Sequence, residues 1–278
     1  MAAAIHDLPP LAKPAAGPCR TFAMVLGDGF LEWGILCAYS LARVVDEAEF
    51  EITPDGGLGH ATRAALGRLL PGRCRFVDPG DVAGRVESAL PRARFPRLRA
   101  SRDVQIHLAK LVDVYAGRAG RIVALDADLV FYRRPGELLG VLDGKPKAEP
   151  YLIERRESYA VFHGELERLS GHPVPRRYNS GITAFHAGTI DWERVERWLQ
   201  AIWLLRPKPP LEHQTLCALL ASELPRHALA AEAYLCRPNA REIAQPQAVL
   251  HHYNGEYKAR FHAFANIPRA FPKALTHG

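Results

Sequence analysis

The stretch Val123-Ala124-Leu125-Asp126-Ala127-Asp128-Leu129-Val130-Phe131 carries two carboxylates, one residue apart, at the end of an apolar run. In an extended strand, residues i and i+2 share a face, so Asp126 and Asp128 are expected to turn toward one ligand. Two carboxylates this close repel unless a cation sits between them. A divalent metal holding a phosphate-bearing substrate satisfies that need, because hard cations prefer carboxylate oxygens. An acidic strand end facing solvent has the same local signature. A second apolar run, Ala248-Val249-Leu250, ends in His251-His252-Tyr253-Asn254-Gly255-Glu256-Tyr257-Lys258. Imidazole is a metal ligand, lysine a point charge for phosphate, and glycine lets backbone approach a ligand. This turn has the composition to hold a metal and a diphosphate, and equally that of a histidine pair capping a loop.

Other pieces fall in order between and around these two. Thr21-Phe22-Ala23-Met24-Val25-Leu26 reads as a strand, followed by Phe30 and a helix ending near Ser40-Leu41. Leu108-Ala109-Lys110-Leu111 leads through Arg121-Ile122-Val123-Ala124-Leu125 into the acidic pair, and Tyr178-Asn179-Ser180-Gly181-Ile182 and Glu212-His213-Gln214-Thr215-Leu216 follow. In this order the chain resembles the retaining GT-A glycosyltransferases, the group that includes glycogenin and the bacterial galactosyl- and glucosyltransferases of lipopolysaccharide synthesis. The resemblance implies a GT-A (nucleotide-diphospho-sugar transferase) α/β fold with a single, mostly parallel central sheet flanked by helices. It also implies transfer of a sugar from a nucleotide-diphosphate donor, with uridine favoured, to an acceptor hydroxyl with retention of configuration.

The same resemblance assigns roles. Asp126 would meet ribose and metal, and Asp128 and His252 would complete the protein ligands of Mn2+ or Mg2+. His252 is preferred to His251 because it gives the family's His-x-x-Gly-x-x-Lys spacing with Gly255 and Lys258. Phe30 would lie against the base, and Lys110, Gly255 and Lys258 would serve the nucleotide and its diphosphate. Asn179 and Gln214 would hydrogen-bond donor hydroxyls. One departure bears on chemistry: His213 stands before Gln214 where the family commonly has aspartate. Either Glu212 replaces that carboxylate, or the sugar contacts and the stereochemical outcome differ. Ala259 also stands where a proline often follows the closing lysine.

Two rival functions share part of the pattern. An apolar strand ending in D-x-D also opens haloacid dehalogenase-type phosphatases, which need further acidic metal ligands later in the chain; here only Asp143 and Asp191 follow Asp128. A GT-A-like domain that binds a nucleotide without turnover is the other, kept in view by His213. A dinucleotide fingerprint at Gly27-Asp28-Gly29 lacks its third glycine.

These residues need a scaffold. The 278 residues, 48% of them hydrophobic, suffice for one large core. Strands are expected over 21–26, 50–53, 74–77, 121–125, 182–186 and 249–252, alternating with helices as in a parallel α/β sheet. On the helix before the acidic pair, Val104, Leu108, Leu111 and Tyr115 form an apolar stripe, with Lys110 on a face shared with Asp103 and His107. The helix expected over 189–203 has Trp192, Val195, Leu199 and Ile202 inward and Glu193 with Arg197 as an exposed i,i+4 pair. Another helix starts at Glu212. Residues 1–19 are expected to be a loosely held tail and 20–278 a single domain.

A net charge of +6 is spread widely, and no basic stretch with interleaved aromatics predicts nucleic acid as a partner. The denser run over 91–99 reads as a solvated loop, with an anionic lipid or acceptor site, and so peripheral membrane contact, as its alternative. Five cysteines without C-x-x-C spacing, no signal-peptide pattern and no run of membrane-spanning length lead to a cytoplasmic expectation. The stretch 144–174 is expected on the acceptor side, with the acceptor itself open.

Overall fold

The computed structural model describes residue 5, residues 8–14 and residues 17–264. Its strands are β1 (Arg20–Leu26), β2 (Ala48–Pro54), β3 (Cys74–Phe76), β4 (Val123–Leu125), β5 (Leu129–Phe131), β6 (Glu149–Ile153), β7 (Tyr178–Asn179), β8 (Ile182–Thr183), β9 (Arg226–Ala228), β10 (Tyr234–Cys236) and β11 (Leu250–His252). The central sheet has the order β3-β2-β1-β4-β8, parallel throughout except for the antiparallel edge strand β8. Parallel neighbours require crossovers, and helices supply them: Leu31–Val44 between β1 and β2, and His60–Leu69 between β2 and β3. Small sheets β10-β11-β5 and β7-β6-β9 complete the molecule.

Strand alternation sorts the core into two layers. Phe22, Met24, Val123 and Leu125 face one cluster, whereas Ala23 and Ala124 face the other. The alanine face leaves room for the helix Ile106–Tyr115 to lie close to the sheet, with Leu108, Leu111 and Val112 fully buried. Each such side chain contributes up to about 1.5–3 kcal/mol by leaving water. Tyr115, on the same helix, donates its hydroxyl to Ile122 O at 3.1 Å and meets Thr183 Oγ1 at 2.9 Å, tying the helix to β8 and to the residue just before β4.

Several expectations change. Asp126 and Asp128 do not lie on one extended strand: β4 ends at Leu125, β5 begins at Leu129 in a different sheet, and the acidic pair occupies the turn between them. The expected stripe breaks at Gln105, which has extended φ and ψ, so Val104 ends the preceding helix Pro96–Val104 and is 71% exposed. The helix expected over 189–203 is Trp192–Leu205, because Asp191 caps it by accepting from Arg194 N at 3.0 Å. Glu193 pairs with Arg94 rather than with Arg197, which instead lies 4.0 Å from Asp191.

The basic run over 91–99 is not a free loop. Pro96 opens a helix there, and Arg94, Arg97 and Arg99 pair with Glu193, Glu196 and Glu87. Intramolecular carboxylates therefore occupy these arginines and leave little of the run for an anionic surface. The N-terminal segment is held as well, where described. Ile5 and Leu8 are buried in the core, Leu11 N donates to Leu69 O at 2.9 Å, and Arg73 Nη2 donates to Ala12 O at 3.0 Å.

Candidate active site

The carboxyl ends of the parallel strands open into a cleft of about 390 Å3, where ligands of open α/β sheets gather. Two sheet registers build its centre. β5 pairs antiparallel with β11, setting Leu129 opposite His252, and Tyr253 N donates to Asp128 O at 3.0 Å. The turn after β4 is held by Asp126 N donating to Gly181 O at 2.8 Å, just before β8. The acidic pair and the histidine, far apart in sequence, thus become neighbours through backbone pairing.

His252 Nε2 lies 3.1 Å from Asp128 Oδ1 and 3.6 Å from Asp126 Oδ2. One ligand atom from each of these three residues lies within 4.8 Å of the others. Carboxylate oxygens and an imidazole nitrogen form a donor set suited to a divalent first-row metal or Mg2+. His251 points to the other face of its strand, where its Nδ1 meets Tyr253 Oη at 2.9 Å, and burial pushes it down to about 3.

Two lysines frame the group. Lys110, 4% exposed, donates to Asp126 Oδ1 at 2.7 Å and to Ser180 O at 2.6 Å. Lys258 Nζ lies 2.8 Å from Asp128 Oδ2 and 5.0 Å from the centre of the Phe30 ring. Burial alone would raise Asp128, but His252 and Lys258 outweigh it and hold the carboxyl below the usual range. Burial disfavours the His252 cation, yet Asp128 holds its pKa well above the ordinary value.

Gly181 makes this packing feasible. A Cβ added there would stand 2.7 Å from His252 Cε1 and 2.9 Å from its Nδ1, so the imidazole lies flush on bare backbone. His252 Nδ1 faces Cys236 Sγ at 3.9 Å, which leaves Nε2 for the acidic pair.

The remaining expected residues line the same cleft, though several are engaged elsewhere. Phe30 is 40% exposed beside Gly27, and Gly255 has a left-handed φ of 60° that turns the chain toward Lys258. Asn179 accepts from Gly181 N at 2.9 Å and donates to Glu154 Oε2 at 3.1 Å. Gln214 donates from Nε2 to Ser158 O at 2.5 Å. Glu212 is fully buried, accepting from Trp203 Nε1 at 2.6 Å, from Gln105 Nε2 at 3.0 Å and from Ser101 Oγ. Its carboxylate ties three helices together and is not free to take the role of an aspartate beside a sugar. His213 meets Ser180 Oγ at 3.2 Å, and burial followed by the nearby Lys110 charge pushes it well below its ordinary value, so the ring is neutral.

Sequence reasoning missed two contributors. Arg237 lines the cleft, and Glu154, 1% exposed, touches Asn179, Asn254 and Arg237 from behind. No residue of the 144–174 stretch lines the cleft itself, which it supports through Glu154 and Ser158. Asp143 pairs with Arg20 at 2.6 Å and Asp191 caps a helix, so neither supplies the extra acidic ligand that a phosphatase of the rival type requires.

A scan against protein-family models and a search of curated proteins find no match. Solved structures do match. Mouse xyloside xylosyltransferase 1 in its apo form aligns with a TM-score of 0.54 at 14% identity, over 87% of this chain and 99% of that one. An active-site variant of LgtC aligns with a TM-score of 0.51 at 15% identity, over 92% and 100% of the two chains. The apo bifunctional glycosyltransferase WbbM aligns with a TM-score of 0.54 at 14% identity, over 96% of this chain but 53% of its own. The chain thus has the GT-A glycosyltransferase fold, a mostly parallel central sheet with flanking helices. Among the described residues no helix is long and apolar enough to cross a membrane.

Proposed function

We propose that this protein is a metal-dependent glycosyltransferase that moves a sugar from a nucleotide-diphosphate donor, a UDP-sugar, to an acceptor hydroxyl with retention. The observation that carries this reading is the convergence of Asp126, Asp128 and His252 with Lys258 and Lys110 in one cleft of a GT-A fold. Asp126, Asp128 and His252 would hold Mn2+ or Mg2+, which when bound supplies Lewis-acid neutralisation of charge growing on the departing diphosphate. Lys258 bridges the aromatic Phe30 face and the acidic pair, so a nucleotide with its base on Phe30 brings its phosphates to that ammonium. Lys110 fixes Asp126 and the Ser180 carbonyl, keeping the turn in shape while charge develops.

Retention by attack on the face the diphosphate leaves fits the residues present. The carboxylates of Glu212 and Glu154 are engaged by protein donors, and both ring nitrogens of His213 are taken up by Ser180 and Cys217, so among these described residues no side chain is free to act as nucleophile or general base. Asn179 and Gln214 each keep part of an amide for donor hydroxyls, which would orient the sugar for an acceptor. A cytoplasmic setting is part of this proposal, and the free state of all five cysteines supports it. The test is UDP-sugar hydrolysis and transfer with Mn2+. Asp128→Ala and His252→Ala should each abolish metal-dependent turnover, and full activity of either variant in EDTA would refute the proposal.

A further inference from the structure

Glu154 is a carboxylate buried to 1% exposure at the end of β6, and a buried charge of this kind is costly unless its partners are well placed. Its oxygens are shared among four groups. Oε2 accepts from Asn179 Nδ2 at 3.1 Å and Asn254 Nδ2 at 2.9 Å, and Oε1 accepts from Arg155 N at 2.9 Å and lies 3.2 Å from Arg237 Nε. Asn179, Asn254 and Arg237 all line the cleft. One hidden acid therefore sets the orientation of three side chains on one wall.

Arg237 is unusual on that wall. Its φ is 52°, a left-handed conformation seldom adopted outside glycine, and such strain persists where the surroundings require it. Its backbone N donates to His252 O at 3.0 Å, which ties it to the metal-site strand. Its side chain is 30% exposed, its buried Nε makes an ion-pair contact with Glu154 but no hydrogen bond, and among the described residues neither Nη1 nor Nη2 donates one. Asn254 Oδ1 is buried without a partner in the same region. The wall thus presents unspent guanidinium N–H donors, which can bond the oxygens of sugar hydroxyls.

Charge then narrows the ligand. Each lysine or arginine lining the cleft already faces a carboxylate: Lys110 faces Asp126, Lys258 faces Asp128 and Arg237 faces Glu154. A divalent metal would answer the two charges of a sugar-nucleotide diphosphate. Among the described lysines and arginines of the cleft, none remains to balance a further carboxylate on the sugar.

We propose that Arg237, oriented by Glu154, is the specificity-determining residue for the transferred sugar, donating to its hydroxyls and favouring a neutral sugar over a uronic acid. This rests on the transferase reading above, and it adds a substrate class and two residues to it. Arg237 shares its anchor with Asn179 and Asn254 rather than with the Phe30 and Lys258 pair, which places it with the sugar rather than the base.

The experiment compares wild type, Arg237→Ala and Glu154→Gln in two readouts with Mn2+: binding of UDP, and hydrolysis of UDP-glucose, UDP-galactose and UDP-glucuronic acid. Arg237→Ala should keep UDP affinity within about twofold while kcat/KM for the best neutral donor falls about 10- to 100-fold, as expected when a charged hydrogen-bond donor is removed. Glu154→Gln keeps the shape but frees the Arg237 charge, so the kcat/KM ratio of UDP-glucuronic acid to the best neutral donor should rise about tenfold or more. A wild type that prefers UDP-glucuronic acid, an unchanged ratio in Glu154→Gln, or an Arg237→Ala variant with undiminished hydrolysis would overturn the inference while leaving the transferase reading intact. Should Glu154→Gln fail to fold, the Arg237→Ala comparison decides alone. Failure of wild type to bind UDP with Mn2+ would instead remove the transferase reading, and this inference with it.

Discussion

Gly181→Ala isolates the geometry on which the proposed metal centre depends. The new Cβ would stand 2.7 Å from His252 Cε1, and ordinary van der Waals contact begins near 3.4 Å, so the ring must retreat by about 0.7 Å. Asn179 Oδ1, 3.0 Å from the same point, accepts from Gly181 N while the Nδ2 of the same amide donates to Glu154 Oε2, so this side chain cannot make room. Metal–ligand distances tolerate only about 0.2 Å, so a displacement several times larger should weaken metal binding about 10- to 100-fold, the scale seen when ligand orientation is lost. Overpacking itself should cost about 1–3 kcal/mol, enough to lower Tm by several degrees without unfolding the protein. Mn2+ titration by calorimetry or electron paramagnetic resonance reads the first effect and a thermal melt the second. A variant whose Tm falls while its Mn2+ affinity stays within twofold of wild type would show that His252 is not held as a ligand by this contact.

Other consequences follow from buried carboxyls. Burial raises Glu149 to about 7 from an ordinary 4.5, with Arg121 at 3.7 Å offsetting part of the shift. Between those values the folded protein keeps a proton that the unfolded chain has released, so Glu149 destabilises the fold increasingly as pH rises from about 4.5 to 7. Glu149→Gln should therefore raise stability at pH 8 by on the order of 2–3 kcal/mol and change it little near pH 4, as two calorimetric scans would show; equal effects at both pH values would contradict the assignment. Glu212→Ala strands the Ser101, Gln105 and Trp203 donors in the interior and should cost about 3 kcal/mol or more in a urea melt. A Glu212→Ala protein of wild-type stability but altered donor choice would favour the alternative in which Glu212 replaces the family's aspartate.

The residues that converge in the cleft were legible as candidates because their chemistry is local. Two acids one residue apart, and a histidine, glycine and lysine in one turn, mark a metal and diphosphate pattern wherever the backbone takes them. Their geometry was not legible, since the acidic pair sits in a turn between two sheets and meets His252 through the β5–β11 register, which is a long-range fact. The central strands were visible from apolar runs, and their parallel order follows from the helices between them. Capping and helix breaks were less so: Asp191 starts its helix later than periodicity suggests, and Gln105 divides what reads as one stripe. Glu154 and Arg237 left no sequence signal because each is ordinary among its neighbours, and only folding brings them behind and beside Asn179. Whether Glu212 stands in for the family's aspartate was open in the sequence, and its carboxylate is bonded to Trp203, Gln105 and Ser101, partners that only the fold brings to it.

The most direct test of the central claim is an anomalous-scattering map of crystals grown with Mn2+ and UDP. The account predicts one manganese peak about 2 Å from a carboxylate oxygen of Asp126, an oxygen of Asp128 and Nε2 of His252, with UDP phosphate oxygens completing its shell. A manganese bound elsewhere, or UDP held in the cleft with no metal beside these three side chains, would contradict it.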